Sequence, residues 1–132
     1  MRAILAGALA LAAAASLAAQ TPDSAAAAPA LAAVRATVPA QARVVPAAPG
    51  LRRADVISCP PRHPDGCRII GGDTYVELLD TTVHGDSGTV TVGVWRQGTN
   101  PHHPVSQQTY RFTVRRVNGA WAVVGAPQMR TT

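Results

Sequence analysis

Side chains that could bind a metal ion or transfer protons are few and scattered along this sequence. His84 and Asp86 flank a possible tight turn, and His102 and His103 follow each other in a loop between two prolines. Because neighbouring residues of an extended segment point in opposite directions, His102 and His103 are poorly placed to bind one ion together. Histidines exposed to solvent in loops are the simpler interpretation, so we predict no metal site and no cofactor.

Two strings resemble motifs of trypsin-like serine proteases, but their spacing argues against that chemistry. Residues 68–72 (RIIGG) are similar to the activation site, and residues 85–88 (GDSG) to the segment around the nucleophilic serine. A serine protease also needs a histidine base held by an aspartate and an oxyanion hole. In that family the histidine motif lies between the two strings, whereas here a single strand separates them. Gly, Asp and Ser are also typical of turns. The carboxylates Glu77, Asp80 and Asp86 are too scattered to form an acid–base pair, so we expect no catalytic residue and no enzymatic activity.

A further group of residues could bind a partner rather than catalyse a reaction. These five residues lie on one polar face if side chains alternate along the two predicted strands: Thr91, Trp95, Arg111, Thr113 and Arg115. This face could bind a polymer, for example an acidic glycan, or a nucleic acid strand stacked on Trp95. A hydrated outer face with one isolated tryptophan is the competing interpretation.

The element that would position these residues is a hairpin over Val105 to Ala126. Asn118-Gly119 stands between two alternating apolar runs, which is typical of a type I′ turn joining strands 105–117 and 120–126. The expected pairs are Val117–Ala120, Arg116–Trp121, Val114–Val123 and Phe112–Gly125. One face of the hairpin would then carry the apolar residues Tyr110, Phe112, Val114, Trp121 and Val123.

Two earlier segments, 74–83 and 89–97, also alternate and are separated by the 85–88 turn. Pairing across the 98–104 loop would place Val94 by Gln108, Val92 by Tyr110 and Val90 by Phe112. This is the same apolar face that the last hairpin requires. Agreement between two independent loops predicts a four-stranded antiparallel meander.

The N-terminal part of the chain would supply the cover for this sheet. Residues 20–50 are rich in Ala and Pro, and Leu31, Val34 and Val38 recur at helical spacing. We predict a short helix over 25–37 that packs on one face of the sheet, with a disordered linker as the alternative. Residues 41–45 could add a short strand. The predicted fold class is therefore α+β, a four-stranded antiparallel β-meander with one short N-terminal helix.

The first residues indicate export. Residues 1–19 contain Arg2, an apolar alanine-rich run and a small-residue cleavage site, which is typical of a secretory signal peptide. An uncleaved membrane anchor is the alternative, although an alanine-rich run inserts weakly. In the periplasm or the medium, Cys59 and Cys67 would form a disulfide within a β domain over 51–132. Their spacing fits neither a C-x-x-C redox motif nor a zinc site.

The charge of the chain does not by itself indicate a partner. The formal net charge is +5, and all 12 basic residues are arginine. Together with the excess of Ala, Val, Pro and Gly, this is typical of a GC-rich bacterial coding sequence. A basic surface could attract phosphate, nucleic acid or anionic lipid. Scattered solubilising arginines are the simpler interpretation, because no run of like charge exceeds two residues.

The last strands resemble a known family. Tyr110-Arg111-Phe112, followed by residues 118–124 (NGAWAVV), is similar to the C-terminal half of NTF2-like (SnoaL-type and cystatin-type) α+β domains. The resemblance covers about the last 45 residues and assigns no catalytic residue. It implies a ligand pocket between helix and sheet. The whole chain also resembles small secreted proteins of unknown function from GC-rich bacteria.

Two functional hypotheses follow. The first is a secreted, non-enzymatic domain that binds another protein or a cell-envelope component through its sheet surface or edge strands, with no nucleic-acid partner and no membrane insertion after signal cleavage. The alternative is an NTF2-like small-ligand-binding or degenerate enzyme domain with a shallow pocket between helix and sheet. The first leaves Trp95 exposed to solvent, and the second needs residues 24–38 beside a cavity.

Overall fold

The computed structural model describes residues 22–62, 66–98 and 105–131. The predicted signal peptide over 1–19, and His102 and His103, lie outside the described residues. Within the described ranges, no helix is both long enough and apolar enough to cross a membrane.

The chain forms an α+β fold in which one long helix lies on a mostly antiparallel sheet. The helices are α1 (Pro22–Thr37) and α2 (Arg53–Val56), and the strands are β1 (Val44–Val45), β2 (Ile57–Ser58), β3 (Arg68–Ile69), β4 (Thr74–His84), β5 (Ser87–Gln97), β6 (Val105–Val117) and β7 (Ala120–Thr131). The main sheet has the order β1-β4-β5-β6-β7, and β2 pairs with β3 separately.

The predicted four-stranded meander with one helix therefore needs correction. The main sheet has a fifth strand because Val44 and Val45 pair in parallel with Thr74 and Tyr75. A hydrogen bond just before the two strands stabilises this short pairing: the Arg43 backbone N–H donates to Asp73 Oδ1 at 3.0 Å. The four-residue helix α2 is also additional. Strand β1 lies within residues 41–45, for which the sequence allows a short strand, whereas the four-residue helix α2 is too short to show helical periodicity in the sequence.

The apolar face of the sheet and α1 together form the main core. Val90, Val92 and Val114 are fully buried there, beneath Ala30 and Val34 of the helix. Helix α1 begins three residues before the predicted range of 25–37 and ends at the predicted residue. Small alanine side chains on its inner face allow the helix to approach the sheet closely, so much of this core is made of Ala and Val.

The pairing between β5 and β6 is the predicted one, with Val94 opposite Gln108, Val92 opposite Tyr110 and Val90 opposite Phe112. The β6–β7 turn also has the predicted geometry. Asn118 and Gly119 have φ values of 52° and 80°, as a type I′ turn requires. Val117–Ala120, Arg116–Trp121 and Val114–Val123 pair as expected.

The predicted pairing of Phe112 with Gly125 is wrong because β7 contains a bulge. Thr113 pairs with Val124, and the next pair is Arg111 with Gln128, so residues 125–127 face Phe112 alone. Gly125 adopts φ 72°, a conformation open to glycine, and Pro127 has no N–H to donate to the ladder. The strand then continues to Thr131 instead of ending at 126.

A second bulge lies on β4. Leu78 pairs with Val92 and Asp80 with Thr91, so Leu79 has no partner on β5. Bulges of this kind redirect side chains at the edges of a sheet. Together, the two bulges change which residues of β4 and β7 flank the two central strands.

Candidate functional site

The sheet face opposite α1 is divided into two halves that differ in what covers them. One half, which we call the covered half, carries Tyr75 and Trp95 and lies beneath Leu51, Val56, Ile57 and Ile69. The other half is open to solvent, and its concave surface encloses about 390 Å³. The residues lining this open half are Asp80, Thr89, Thr91, Thr109, Arg111, Gln128 and Arg130.

A leucine side chain separates the two halves. A Cβ atom added at Gly93 would lie 3.3 Å from Leu79 Cδ1, so the Leu79 side chain lies over the β5 backbone at this glycine. Leu79 is the residue left unpaired by the β4 bulge. The bulge therefore places an apolar divider next to the polar surface.

The covered half is a second small core. Val56 of α2 and Ile69 of β3 are buried against Tyr75, with Leu51, Trp95 and others packed around them. The predicted disulfide between Cys59 and Cys67 is confirmed, and their Cα atoms are 4.1 Å apart. It closes the end of the β2–β3 ladder just beyond the Ser58–Arg68 pair. The Ile69 backbone N–H also donates to Gln97 Oε1 at 2.8 Å, which links this cover to β5.

Trp95 is held in a polar cluster within the covered half. Its indole N–H donates to Glu77 Oε2 at 2.8 Å, and the Arg53 guanidinium carbon lies 4.8 Å from the ring centroid. Arg53 Nε also donates to both Glu77 carboxylate oxygens, at 3.2 and 3.3 Å. One face of the indole is thus occupied by a cation and its edge by a hydrogen bond. A stacking partner would have to displace Arg53.

Tyr75 is almost fully buried beside this cluster, with 2% of its surface exposed. Burial raises the pKa of its hydroxyl above the ordinary value of 10.0, and the negative charges of Glu77 and Asp55 raise it further, while Arg53 acts in the opposite direction. The hydroxyl is therefore protonated at neutral pH and can donate a hydrogen bond.

In the open half, a polar row crosses all four long strands. Asp80 is opposite Thr91, Thr91 is opposite Arg111, and Arg111 is opposite Gln128. The β7 bulge creates the last of these pairs, because the unbroken predicted register would place Ala126 opposite Arg111. The same bulge places Arg130 opposite Thr109, on the neighbouring row. The two bulges therefore frame a polar surface at the edges of the sheet.

The arginines of the open half differ from the paired arginines of the chain. Each of four arginines has a carboxylate within 4.0 Å: Arg43, Arg52, Arg53 and Arg116. Among the residues described, Arg111 and Arg130 have no such carboxylate. The described residues that line this surface include one acidic residue, Asp80, and two arginines. An exposed surface with unneutralised guanidinium groups attracts anions.

The residues predicted for binding are brought together only in part. Thr91 and Arg111 are direct neighbours in the polar row, and Thr113 follows on the same face of β6. Arg115 lies farther along β6, opposite Ser87 at the β4–β5 turn. Trp95 lies in the covered half, where Arg53 occupies one face of its ring.

Sequence reasoning missed the contribution of β7. Gln128 and Arg130 line the open half, but the predicted strand stopped at residue 126. A signal was present, since Gln128, Met129 and Arg130 continue the polar–apolar alternation after Pro127. A proline is usually read as the end of a strand, and here it lies within a bulge.

The residues considered for catalysis do not form a cluster. His84 and Ser87 pair across the β4–β5 turn, while the Asp86 carboxylate lies 3.8 Å from an Arg116 guanidinium nitrogen. Within the described part of the chain, no three His, Cys, Asp or Glu side chains lie close enough together to hold a metal ion.

Comparison of the chain with protein-family models, with curated proteins and with solved structures found no match. The resemblance of the last strands to NTF2-like domains therefore stays a prediction. What the protein does has to be inferred from the surfaces described above.

Proposed function

We propose that the protein is a secreted, non-enzymatic domain whose open half binds a carboxylate-bearing polysaccharide of the cell envelope. The observation that supports this most directly is the presence of Arg111 and Arg130, without carboxylate partners among the described residues, on one concave polar surface. Guanidinium groups form strong, planar, two-pronged hydrogen bonds with carboxylates.

The side chains between the arginines suit a sugar polymer. Thr89, Thr91 and Thr109 present hydroxyls, and Gln128 presents an amide, so the surface offers both donors and acceptors. Sugar hydroxyls can form hydrogen bonds with these donors and acceptors, and uronic acid carboxylates can form charge-assisted hydrogen bonds with the arginines. The neighbouring rows of the sheet repeat these groups over several ångströms, which is the length scale of a sugar residue.

Nucleic acid is a less suitable partner for the same surface. Binding of single strands depends strongly on bases stacking on exposed aromatic side chains. None of the described residues that line the open half is aromatic, and one face of the Trp95 ring is occupied by Arg53. The notion of a strand stacked on Trp95 is therefore set aside in favour of the glycan.

The proposed location follows from the disulfide and from the N-terminal sequence. A disulfide between Cys59 and Cys67 persists in oxidising compartments such as the periplasm or the extracellular medium. Residues 1–19 have the composition of a signal peptide. We therefore infer export, with the polysaccharide met at the cell surface.

The alternative proposal is a small-ligand domain of NTF2-like type, with its pocket between helix and sheet. The concavity beside α1, lined by Leu31, Arg35, Val76 and residues 46–47, encloses about 100 Å³. Pockets for small ligands are ordinarily about 300–1,000 Å³. The open half is larger and better supplied with polar groups, so we prefer the first proposal.

The test is binding of polygalacturonate, a uronic acid polymer, measured by isothermal titration calorimetry at low and at physiological salt. We expect saturable binding that weakens as salt is raised, because the contacts are charge-assisted. The double variant Arg111→Gln/Arg130→Gln should weaken binding at least roughly tenfold, as expected for the loss of two contacts of about 1 kcal/mol each.

The matched control removes the same charge from elsewhere on the surface. Arg35 on α1 and Arg68 on β3 are exposed and lie outside the open half. The variant Arg35→Gln/Arg68→Gln should bind polygalacturonate within about twofold of the parent protein. Equal weakening in both double variants would mean nonspecific attraction to a basic protein, and tighter binding of an oligonucleotide than of polygalacturonate would assign the surface to nucleic acid.

A further inference from the structure

The outer edge of β4 is covered over only a short part of its length. Strand β1 pairs with Thr74 and Tyr75 at its beginning. Among the described residues, no strand pairs with the rest of this edge, over residues 76–84. Beyond the bulge at Leu79, residues 80–84 (DTTVH) form a regular run that is paired with β5 on its inner side. An uncovered strand edge is a template for pairing with another strand.

The β4–β5 turn determines which backbone groups of this run point outward. A two-residue loop over 85–86 follows His84 directly, because His84 pairs with Ser87. The pair that closes such a loop exchanges two hydrogen bonds, so His84 directs its backbone N–H and C=O groups to β5. These directions alternate along a strand, and Thr81 and Val83 therefore direct their N–H and C=O groups to the outer edge.

The side chains of the run carry complementary chemistry at its two ends. Asp80, Thr82 and His84 are exposed and alternate along the strand on the side of the open half. Thr82 Oγ1 donates to Asp80 Oδ2 at 3.3 Å, which orients the carboxylate. Within the described residues, neither Asp80 nor His84 belongs to an ion pair. The two groups are symmetric about Thr82, as a twofold axis requires.

We propose that a second copy of this chain pairs with this edge in antiparallel orientation, about a twofold axis at Thr82. Thr81 then lies opposite the partner's Val83, so the outward backbone groups of both copies form hydrogen bonds. Asp80 lies opposite the partner's His84 in a non-hydrogen-bonded pair, with Cα atoms about 4.5 Å apart. An imidazole N–H can donate to a carboxylate in either protonation state of the ring. The axis produces this contact twice.

The neighbouring registers are less suitable. An axis at Thr81 would place Asp80 opposite a threonine and extend the pairing into the bulge at Leu79. An axis at Val83 would extend the pairing into the 85–86 loop. The register about Thr82 uses the whole run and opposes its two complementary groups.

The other free edge of the sheet, on β7, is also less suitable. The bulge over residues 125–127 contains Pro127 and interrupts this edge. Bulges and prolines protect edge strands from pairing with other chains. The part of β7 before the bulge, residues 120–124 (AWAVV), carries no charged side chain that could define a register.

The pairing would also enlarge the surface described above. Residues that lie opposite each other in a sheet have their side chains on the same face, so the two open halves would adjoin. The partner's His84 would then lie beside Asp80, the acidic residue of the open half. That the joined surface binds a longer stretch of polysaccharide rests on the proposed function, whereas the pairing itself does not.

The first test is sedimentation velocity of the parent protein without polysaccharide. A run of this length buries less area than the roughly 1,200–2,000 Å² of stable complexes, so we expect a dissociation constant on the order of 100 µM. The sedimentation coefficient should rise with concentration from that of a monomer toward that of a dimer.

Two charge variants test the register. Asp80→Arg places an arginine opposite the partner's His84, and His84→Asp places two acids opposite each other. Each variant alone should dimerise at least roughly tenfold more weakly, because two contacts are lost in each dimer. In an equimolar mixture the heterodimer has an acid opposite a base at both positions. It should form with a dissociation constant within about threefold of the parent value.

A matched pair of proline variants tests the edge. Val83 and Val123 are both half-buried at the rim of the main core, on the two opposite edge strands. Val83→Pro removes an N–H from the outer edge of β4 and should abolish the dimer. Val123→Pro makes the same change on β7 and should leave the dimer intact. Circular dichroism confirms that each variant is folded, and the charge variants decide the question if a proline variant is not.

The same measurements can overturn the proposal. A parent protein that stays monomeric up to about 500 µM, well above the expected dissociation constant, would contradict the pairing. A dimer that is lost in Val123→Pro and kept in Val83→Pro protein would assign the interface to β7. A mixture of the two charge variants that dimerises no better than either variant alone would contradict the contact between Asp80 and the partner's His84.

Discussion

The covered half and the open half of the sheet face opposite α1 are built from the same strands. The covered half packs as part of a small core, whereas the open half is exposed to solvent. In the covered half, Tyr75 is buried and Trp95 is partly buried beneath α2, β2 and β3. In the open half, Arg111 and its neighbours face solvent. Strand alternation assigns all these residues to the same face. What separates them is a nonlocal cover, which is held by a disulfide and by one arginine–glutamate–tryptophan cluster.

This difference predicts opposite sensitivities. Changes in the covered half should alter stability and leave polysaccharide binding intact. Changes in the open half should alter binding and leave stability intact. The following substitutions test the comparison in order of their expected effect on the free energy of unfolding.

The largest effect is expected from the double variant Cys59→Ser/Cys67→Ser. Loss of a cross-link that closes a loop of this length should lower the free energy of unfolding by about 2.5 kcal/mol. Urea unfolding measures this value. In Trp121→Phe background, Trp95 should also become more accessible to acrylamide. A change below about 0.5 kcal/mol would show that packing of Val56 and Ile69 holds the cover without the disulfide.

The next effect is expected from Glu77→Gln, compared with Asp80→Asn. The Glu77 side chain is 15% exposed and binds both Arg53 and Trp95. Its replacement should cost about 1 kcal/mol, since the amide keeps one acceptor but loses the charge and Arg53 is half exposed. Asp80 is exposed in the open half, so Asp80→Asn should change stability by less than about 0.5 kcal/mol. Equal costs for the two variants would remove the distinction between the halves.

A pH-dependent effect is expected from Tyr75. Because its pKa is raised in the folded state, the protonated hydroxyl is favoured by folding. The resulting stability is complete below the ordinary pKa of 10.0 and is lost as the pH rises through the higher folded value. Unfolding free energies at about pH 9 and about pH 11 should therefore fall less steeply for Tyr75→Phe than for the parent protein. Identical pH dependence in the two proteins would contradict the burial of this hydroxyl.

The smallest effect on stability is expected in the open half. Arg111→Gln and Arg130→Gln remove exposed side chains that have no ion-pair partner among the described residues. Each should change the free energy of unfolding by less than about 0.5 kcal/mol. A loss of more than about 1 kcal/mol in urea unfolding would mean that these arginines are structural.

The parts of the fold that were predictable from sequence depend on local chemistry. Asn118-Gly119 defines a turn by its own conformational preferences, and the register of β5 against β6 follows from the alternation of valines. These signals concern residues that are close in the chain or repeat with a strict period. They predicted the main core and the α+β class.

The remaining features depend on contacts distant in sequence or on irregular backbone. Residues 51–72 have no periodicity, so nothing local indicated that Arg53 would lie over Trp95. The β7 bulge inserts residues at Gly125 and Pro127, where a strand ordinarily ends, and so Gln128 and Arg130 were missed. For the candidate site, the sequence identified Thr91 and Arg111 but not the partners that complete the surface.

The most direct test of the division between the halves is a map of amide chemical shifts during titration with short oligogalacturonate. We predict perturbations at residues 89–91, 109–111 and 128–130 in the open half, and little change at residues 53–58 and 68–69 in the cover. Arg111→Gln/Arg130→Gln protein should lose the perturbations. Shifts concentrated in the cover, or spread evenly over exposed arginines, would contradict the assignment of binding to the open half.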